Sequence, residues 1–323
     1  MLETLKFRPL FKSVVWGGRR LESRLGKELP ASEPFGESWE IVDLPTDQST
    51  VTGSRLDGKT LEHLVECYPN DLLGGVSLLE GRFPLLMKFI DAQRTLSVQV
   101  HPDEAACARI GVGARPKTEA WYVIDCEPGS ALYVGLVPGV DRERFTEALK
   151  GGQVESLLHR MPVSAGDFVF LPSRTVHAIG EGIVLAEVQQ ASSTTYRVFD
   201  WNRVGLDGNP RQLHIDEALE SINYAQVGPP RIERPVSGRE GIACPYFSME
   251  VIKAGEGEAL LEGDGPLILM GVSGSGEASV QAGNSSDTLG LGQTLLVPAC
   301  ISSRVEIAKP TDLALLAVRI PPG

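Results

Sequence analysis

The chain has 323 residues, enough for one large domain or two of ordinary size. Its 42% hydrophobic content supports a proper core, and 35 glycines with 22 prolines suit many short strands and turns better than a helical bundle. A formal net charge of −12 argues against a nucleic-acid partner, while leaving small anions open because a few local Arg or Lys side chains decide their binding.

Five scattered cysteines, Cys67, Cys107, Cys126, Cys244 and Cys300, include no CxxC pair. A disulfide framework is therefore not expected, and the count suits a reducing cytoplasm. The opening MLETLKFRPLF lacks the order of a signal peptide, and the apolar runs stop well short of 18 residues. Neither export nor a membrane span is expected.

Along residues 1–55 the text reads as extended pieces, LKFRPLF and ESWEIVDL among them. Helical spacing of Leu61, Leu64, Val65, Leu72 and Leu73 predicts helix over about 60–79. FPLLMKFIDA and TLSVQVHP then read as strands, 103–114 as a short helix or loop, and KTEAWYVID and SALYVGL as two more strands about the turn EPGS. Asp141 opens a helical insertion over about 141–160, broken by Gly151-Gly152. Strands resume at GDFVFLP, VHAIG and GIVLAEVQQ, and VGPPRIERPVSG has the density of a linker. Two units follow: 1–228 with helical insertions, and an all-β 236–323. A faint repeat links them. Gly166, Pro172 and His177 recur in spacing as Gly292, Pro298 and Ser303 across an apolar run, as in a duplicated β-barrel whose second copy lost its histidine.

The chemistry gathers on three strands. In Ser97-Val98-Gln99-Val100-His101 alternation puts Gln99 and His101 on one face; in Lys117-Thr118-Glu119-Ala120-Trp121 it groups Lys117, Glu119 and Trp121. His177 follows Pro172 on the third. Two imidazoles, a carboxylate and an amide oxygen make a first shell for a divalent cation, and the absence of thiolate suits a catalytic Zn²⁺ site, one per chain. His63, His159 and His214 lack such company and are assigned no role.

This spacing resembles the cupin superfamily, with Gln99 in place of the first histidine and Ser173-Arg174 departing from the usual x-Gly. The Gln-x-His variant, with FKSVVWGGRRL, GESWEI, LSVQVHPD, KTEAWYV and QQASSTTYRVFDWNR, narrows the resemblance to type I mannose-6-phosphate isomerases of the shorter bacterial form. The likeness runs through most of residues 8–216 and thins beyond. It implies a mainly β fold of two cupin-type jelly-roll barrels, the first with helical insertions. It also implies aldose–ketose isomerisation of a small sugar phosphate through an enediolate, with no membrane or nucleic-acid partner.

The resemblance marks Arg197 as the active-site arginine, suited to charge stabilisation or phosphate binding because a guanidinium keeps its proton. Lys117 and Lys88 are candidates for substrate contact and proton exchange, and like charge nearby would depress the pKa of either. A water at the metal is a third candidate base. Lys88 also reads as a snorkelling lysine. Trp16, Trp39 and Trp121 are aromatic candidates for the sugar cleft, with Trp121 foremost. Arg203 reads as a substrate contact or as an ion pair with Asp200. Longer relatives carry a histidine where this chain has Pro116, so their proton-transfer scheme does not carry over. The competing readings are a metal-dependent cupin oxygenase and a non-catalytic sugar-binding bicupin.

Overall fold

Alternation along the strands decides the architecture. Strand Ile183–Gln190 sends Ile183 and Leu185 to one side and Val184, Ala186 and Val188 to the other. Strand Leu85–Ala92 likewise opposes Ile90 and Ala92 to Leu85, Met87 and Phe89. Strands apolar on both faces belong in a sheet covered on both sides. In the computed structural model, which describes residues 2–30, 33–233, 235, 237–253 and 255–322, these two strands are central in a six-stranded antiparallel sheet. Its order is Phe168–Leu171, Glu119–Cys126, Ile183–Gln190, Leu85–Ala92, Phe35–Ile41, Leu10–Gly18.

One face meets a five-stranded sheet, ordered Leu158–Pro162, Ala131–Leu136, His177–Ile179, Val98–Val100, Tyr196–Phe199, across Trp16, Trp121, Leu132 and Val134. The opposite face packs Met87, Phe89 and Ala120 on Met249, Met270 and Leu316 of a second five-stranded sheet built from residues 241–319. A four-stranded sheet, ordered Glu258–Glu262, Arg304–Ala308, Glu277–Ala282, Ser285–Gly290, covers that one over Leu261, Leu269, Val280 and Leu315. Each large side chain so buried contributes about 1.5–3 kcal/mol. Helices Arg142–Gly151 and Ile215–Ser221 cover the outer face of the first five-stranded sheet through Phe145, Ala218 and Leu219.

The fold is mainly β, as the sequence predicts, and its strands form paired open sheets. Residues on both sides of the predicted linker share one apolar core. Leu5 and Leu296 exchange both backbone hydrogen bonds, at 2.8 and 2.9 Å, so the N-terminal segment is stitched to the C-terminal unit. The predicted boundary residue 236 and the end residues 1 and 323 lie outside the described residues.

The helical expectations shorten. Thr60 caps Leu61–Cys67 by accepting from the His63 amide, Pro69 restarts a helix that ends at Leu73, and Gly74 takes a positive φ of 60°. Over 142–160 the helix stops at Gly151, with Gly152 left-handed at φ 66°. A 3₁₀ turn Val154–Leu157 leads into strand Leu158–Pro162. Among the described residues no helix is long and apolar enough to cross a membrane.

Candidate metal centre and cleft

Register brings the predicted donors together. Gln99 lies opposite His177 on one side and Arg197 on the other, and Gln189 pairs with Glu119 on the neighbouring sheet. The turn before His177 carries Arg174 at φ 75°, the left-handed conformation that the glycine of the related motif adopts freely. Arg174 meets the strain with contacts: its amide donates to the His101 carbonyl at 2.7 Å, and its guanidinium reaches the Ser221 carbonyl at 3.1 Å.

His101 Nε2 lies 3.4 Å from Glu119 Oε2, and His177 Nε2 lies 3.1 Å from Oε1. The three donor atoms fall within 4.8 Å of one another, and all three residues are buried. Gln99 Nε2 is 3.2 Å from His177 Nε2, and rotation of the amide about its last bond exchanges this nitrogen for the oxygen. The second ring nitrogens settle the tautomers: His101 Nδ1 donates to the Thr194 carbonyl and His177 Nδ1 to the Thr175 carbonyl, each at 2.9 Å. Carbonyls accept only, so both Nε2 lone pairs face the centre. Burial, with Lys117, pushes the His101 pKa down to about 3 against the opposing pull of Glu119. Burial disfavours the Glu119 charge, but Lys117, His101 and His177 outweigh it and hold the carboxyl well below its usual range. Both Glu119 oxygens, though within ion-pair reach, lack a hydrogen bond of good geometry. Two neutral imidazoles and an under-satisfied buried carboxylate fit a divalent cation.

Lys117 Nζ sits beside this set, 3.0 Å from Glu119 and 3.2 Å from His101 Nε2. Gln99 and Lys117 open into a cleft of about 350 Å³. Ser97, Arg197 and Arg211 line it, with Arg197 Nε donating to Ser97 Oγ at 3.2 Å. Trp16, Trp39, Glu37, Lys88 and Glu187 line it too. A larger cavity of about 650 Å³, between Leu2, Arg55 and residues 281–306, contains none of the candidate metal donors.

Lys88 reverses one expectation. Its ammonium lies 3.0 Å from Glu187 and 3.4 Å from Glu37, and these carboxylates receive the indole N–H groups of Trp121 and Trp39 at 2.9 and 2.6 Å. Burial disfavours its charge, but Glu187 and then Glu37 outweigh that and raise its pKa, where the sequence suggested a depressed one. The snorkelling reading also falls, because Lys88 is buried within the cleft wall.

Two further expectations shift. Trp121 is fully buried, edge-on to His177 with ring centres 5.5 Å apart, so it backs the metal donors while Trp16 and Trp39 line the cleft. Arg203 does not line the cleft; it pairs with Asp200 at 2.8 Å and donates to the Thr95 carbonyl at 2.5 Å. Sequence reasoning missed Glu37, Glu187, Ser97 and Arg211. A glutamate inside the apolar run IVLAEVQQ was the available signal for Glu187; Arg211 gave none.

A buried His–Glu–His set beneath a cleft lined by ammonium and guanidinium groups defines a candidate divalent-metal centre with cations placed to meet a small anion. The family described as phosphomannose isomerase type I, catalytic domain, matches residues 4–122. The mannose-6-phosphate isomerase ManA of Bacillus subtilis is 36% identical over 306 residues, 92% of this chain and 93% of that protein. A mannose-6-phosphate isomerase of Streptococcus mutans is 34% identical over 310 residues, 94% of this chain and 95% of that one. The crystal structure of a Bacillus subtilis mannose 6-phosphate isomerase superposes with a TM-score of 0.88 at 31% identity, covering 99% of this chain and 100% of that one. The chain belongs to the type I phosphomannose isomerase family, and it is an isomerase, not an oxygenase.

Proposed function

We propose that the chain interconverts mannose 6-phosphate and fructose 6-phosphate, with one Zn²⁺ held by His101, Glu119 and His177 and, more weakly, by Gln99. One observation carries this reading: the donor set opens through Gln99 and Lys117 into a cleft that also holds Arg197 and Arg211. Bound there, the ion would polarise the sugar carbonyl and stabilise enediolate charge, worth several kcal/mol.

The remaining tasks fall to side chains. Arg211, Arg197 and Ser97 receive the phosphate and offset the enediolate. Trp16 and Trp39 flank the sugar ring. Lys117, on the donor side, hydrogen-bonds the sugar oxygens nearest the metal. Lys88 stays protonated between Glu187 and Glu37, so it serves as a hydrogen-bond donor and fixed positive charge, and Glu187 beside it is the acceptor through which the proton moves between C1 and C2. Arg203 supports the cleft from outside, and Trp121 braces Glu187.

We read residues 1–228 and 236–323 as two cupin-type jelly rolls, the second without a metal site, on the strength of the recurring Gly-x5-Pro frame. Charged sugar phosphates do not cross membranes unaided, so the enzyme works in the cytoplasm. In a coupled assay the purified protein should turn over mannose 6-phosphate, lose activity to a chelator and regain it with Zn²⁺. Metal-replete protein without turnover would leave the non-catalytic sugar-binding reading in its place.

A further inference from the structure

Arg197 and Arg211 line one end of the cleft, Arg203 stands behind them outside it, and the buried carboxylate of Asp200 holds Arg203 and Arg211 together. Asp200 Oδ2 accepts from Arg211 Nε at 2.7 Å and Oδ1 from Arg211 Nη2 at 2.5 Å, a bidentate fork. The same Oδ1 accepts from Arg203 Nε at 2.9 Å, and Arg203 reaches across to the Thr95 carbonyl at 2.5 Å. Arg211 also lines the cleft, so the guanidinium held by this fork faces the space a ligand would fill.

The carboxylate is itself held in place. Trp201 and Asn202, the next two residues, both take left-handed backbone conformations, at φ 56° and 54°, which a bulky tryptophan rarely adopts. Trp201 is anchored by its indole N–H, which donates to the Leu96 carbonyl at 2.7 Å, and by Phe199, whose ring centre lies 5.3 Å away. Thr95 and Leu96 lead directly into Ser97 and Gln99. The strained turn thus fixes Asp200 against the segment that carries the cleft's donors, while Arg211 sits on an irregular loop with little else to set it.

We propose that Asp200 is a positioning residue that aims Arg211 at the phosphate end of the cleft, and so sets the preference for phosphorylated over neutral sugars. The proposal rests on the phosphate role of Arg211 given above. Charge alone and positioning predict opposite signs. Removing a negative charge from a cationic cluster tightens anion binding; releasing Arg211 loosens it.

Inorganic phosphate binding to the full metal-loaded chain, measured by titration calorimetry, separates the two. In Asp200→Asn phosphate affinity should fall about tenfold and the KM for mannose 6-phosphate should rise by a similar factor, with kcat within about threefold, an entropic loss of preorganisation rather than of chemistry. Asp200→Glu, which keeps the charge and displaces the fork, should show a smaller loss in the same direction and stands in if the Asn variant does not fold. In an Arg211→Met background Asp200→Asn should weaken phosphate binding no further. Unchanged or tighter phosphate binding in Asp200→Asn, or the same loss without Arg211, overturns the proposal while wild-type turnover leaves the function standing. A wild type that neither turns over mannose 6-phosphate nor binds phosphate overturns both.

Discussion

Between the six-stranded sheet and its first partner lie Glu119, His101, His177, Lys88, Lys117 and Glu187, each buried and each ionisable. Between the two sheets of residues 241–319 the corresponding space holds Leu261, Leu267, Leu269, Val280, Val305 and Leu315, and of the charged residues described in this unit only Lys309 is buried, its ammonium donating to the Lys253 and Leu313 carbonyls. The layering is similar and the contents are opposite. Burying an ion costs several kcal/mol unless a partner offsets it, so the first interior is a poor source of stability. The second is packed almost wholly with apolar side chains, and the other face of its five-stranded sheet covers the far side of the six-stranded sheet. Confining the polar groups to one interior lets the other be packed for strength alone.

The sharpest break in that contrast comes from removing a donor. His177→Ala should lose its metal, read by elemental analysis, and at least about 10³-fold in turnover. Arg197→Ala should lose about 10²–10³-fold in kcat with metal content unchanged; equal metal loss in both would show that Arg197 serves the donor set instead.

Lys88→Met leaves Glu187 and Glu37 without their shared cation and should cost about 3–5 kcal/mol in denaturant titrations. The pH dependence has two limbs. Lys88 is raised above its ordinary 10.5, so its contribution is complete below that value and fades as pH rises through the folded pKa. Glu37 is lowered from 4.5, so its share is complete above 4.5 and fades as pH falls. The difference between wild type and variant should therefore be flat from about pH 4.5 to 10.5 and narrow outside that window. A difference that peaks at acid pH would refute the pairing.

In the apolar interior, Leu269→Ala should cost about 2–5 kcal/mol while metal bound per folded chain stays at the wild-type level. The smallest effect is expected of Ser303→His. It restores the histidine of the repeat, but at an exposed position with no buried carboxylate opposite, so metal content should not rise.

The grouping of the candidate donors was legible in sequence because strand alternation is local: Gln99 and His101 two apart, Lys117, Glu119 and Trp121 likewise, and a Gly–Pro frame before His177. The mainly β character and most strands followed from the same signal. What could not be read depended on pairing between distant strands. Lys88 became a clamped ammonium because register places Glu187 and Trp39 opposite it. Trp121 shares a face with Glu119, as alternation requires, yet that face is the closed interior at its position. Arg211 reaches the cleft through an irregular loop, for which sequence has no periodicity to offer. The helix expected to 160 failed at Gly151-Gly152, where glycine freedom ended it and the chain entered a strand.

The Leu5–Leu296 stitch and the sheet face shared with Met249, Met270 and Leu316 bear on how the chain is made. During synthesis the strands bearing the candidate metal donors leave the ribosome long before the residues that cover their sheet. Until about the last eighty residues emerge, Met87, Phe89 and Val188 present an uncovered apolar surface, and contacts spanning nearly the whole chain delay its closure. A ribosome stalled near residue 230 should therefore display an N-terminal portion that captures holdase chaperones, and completion of residues 241–319 should release it.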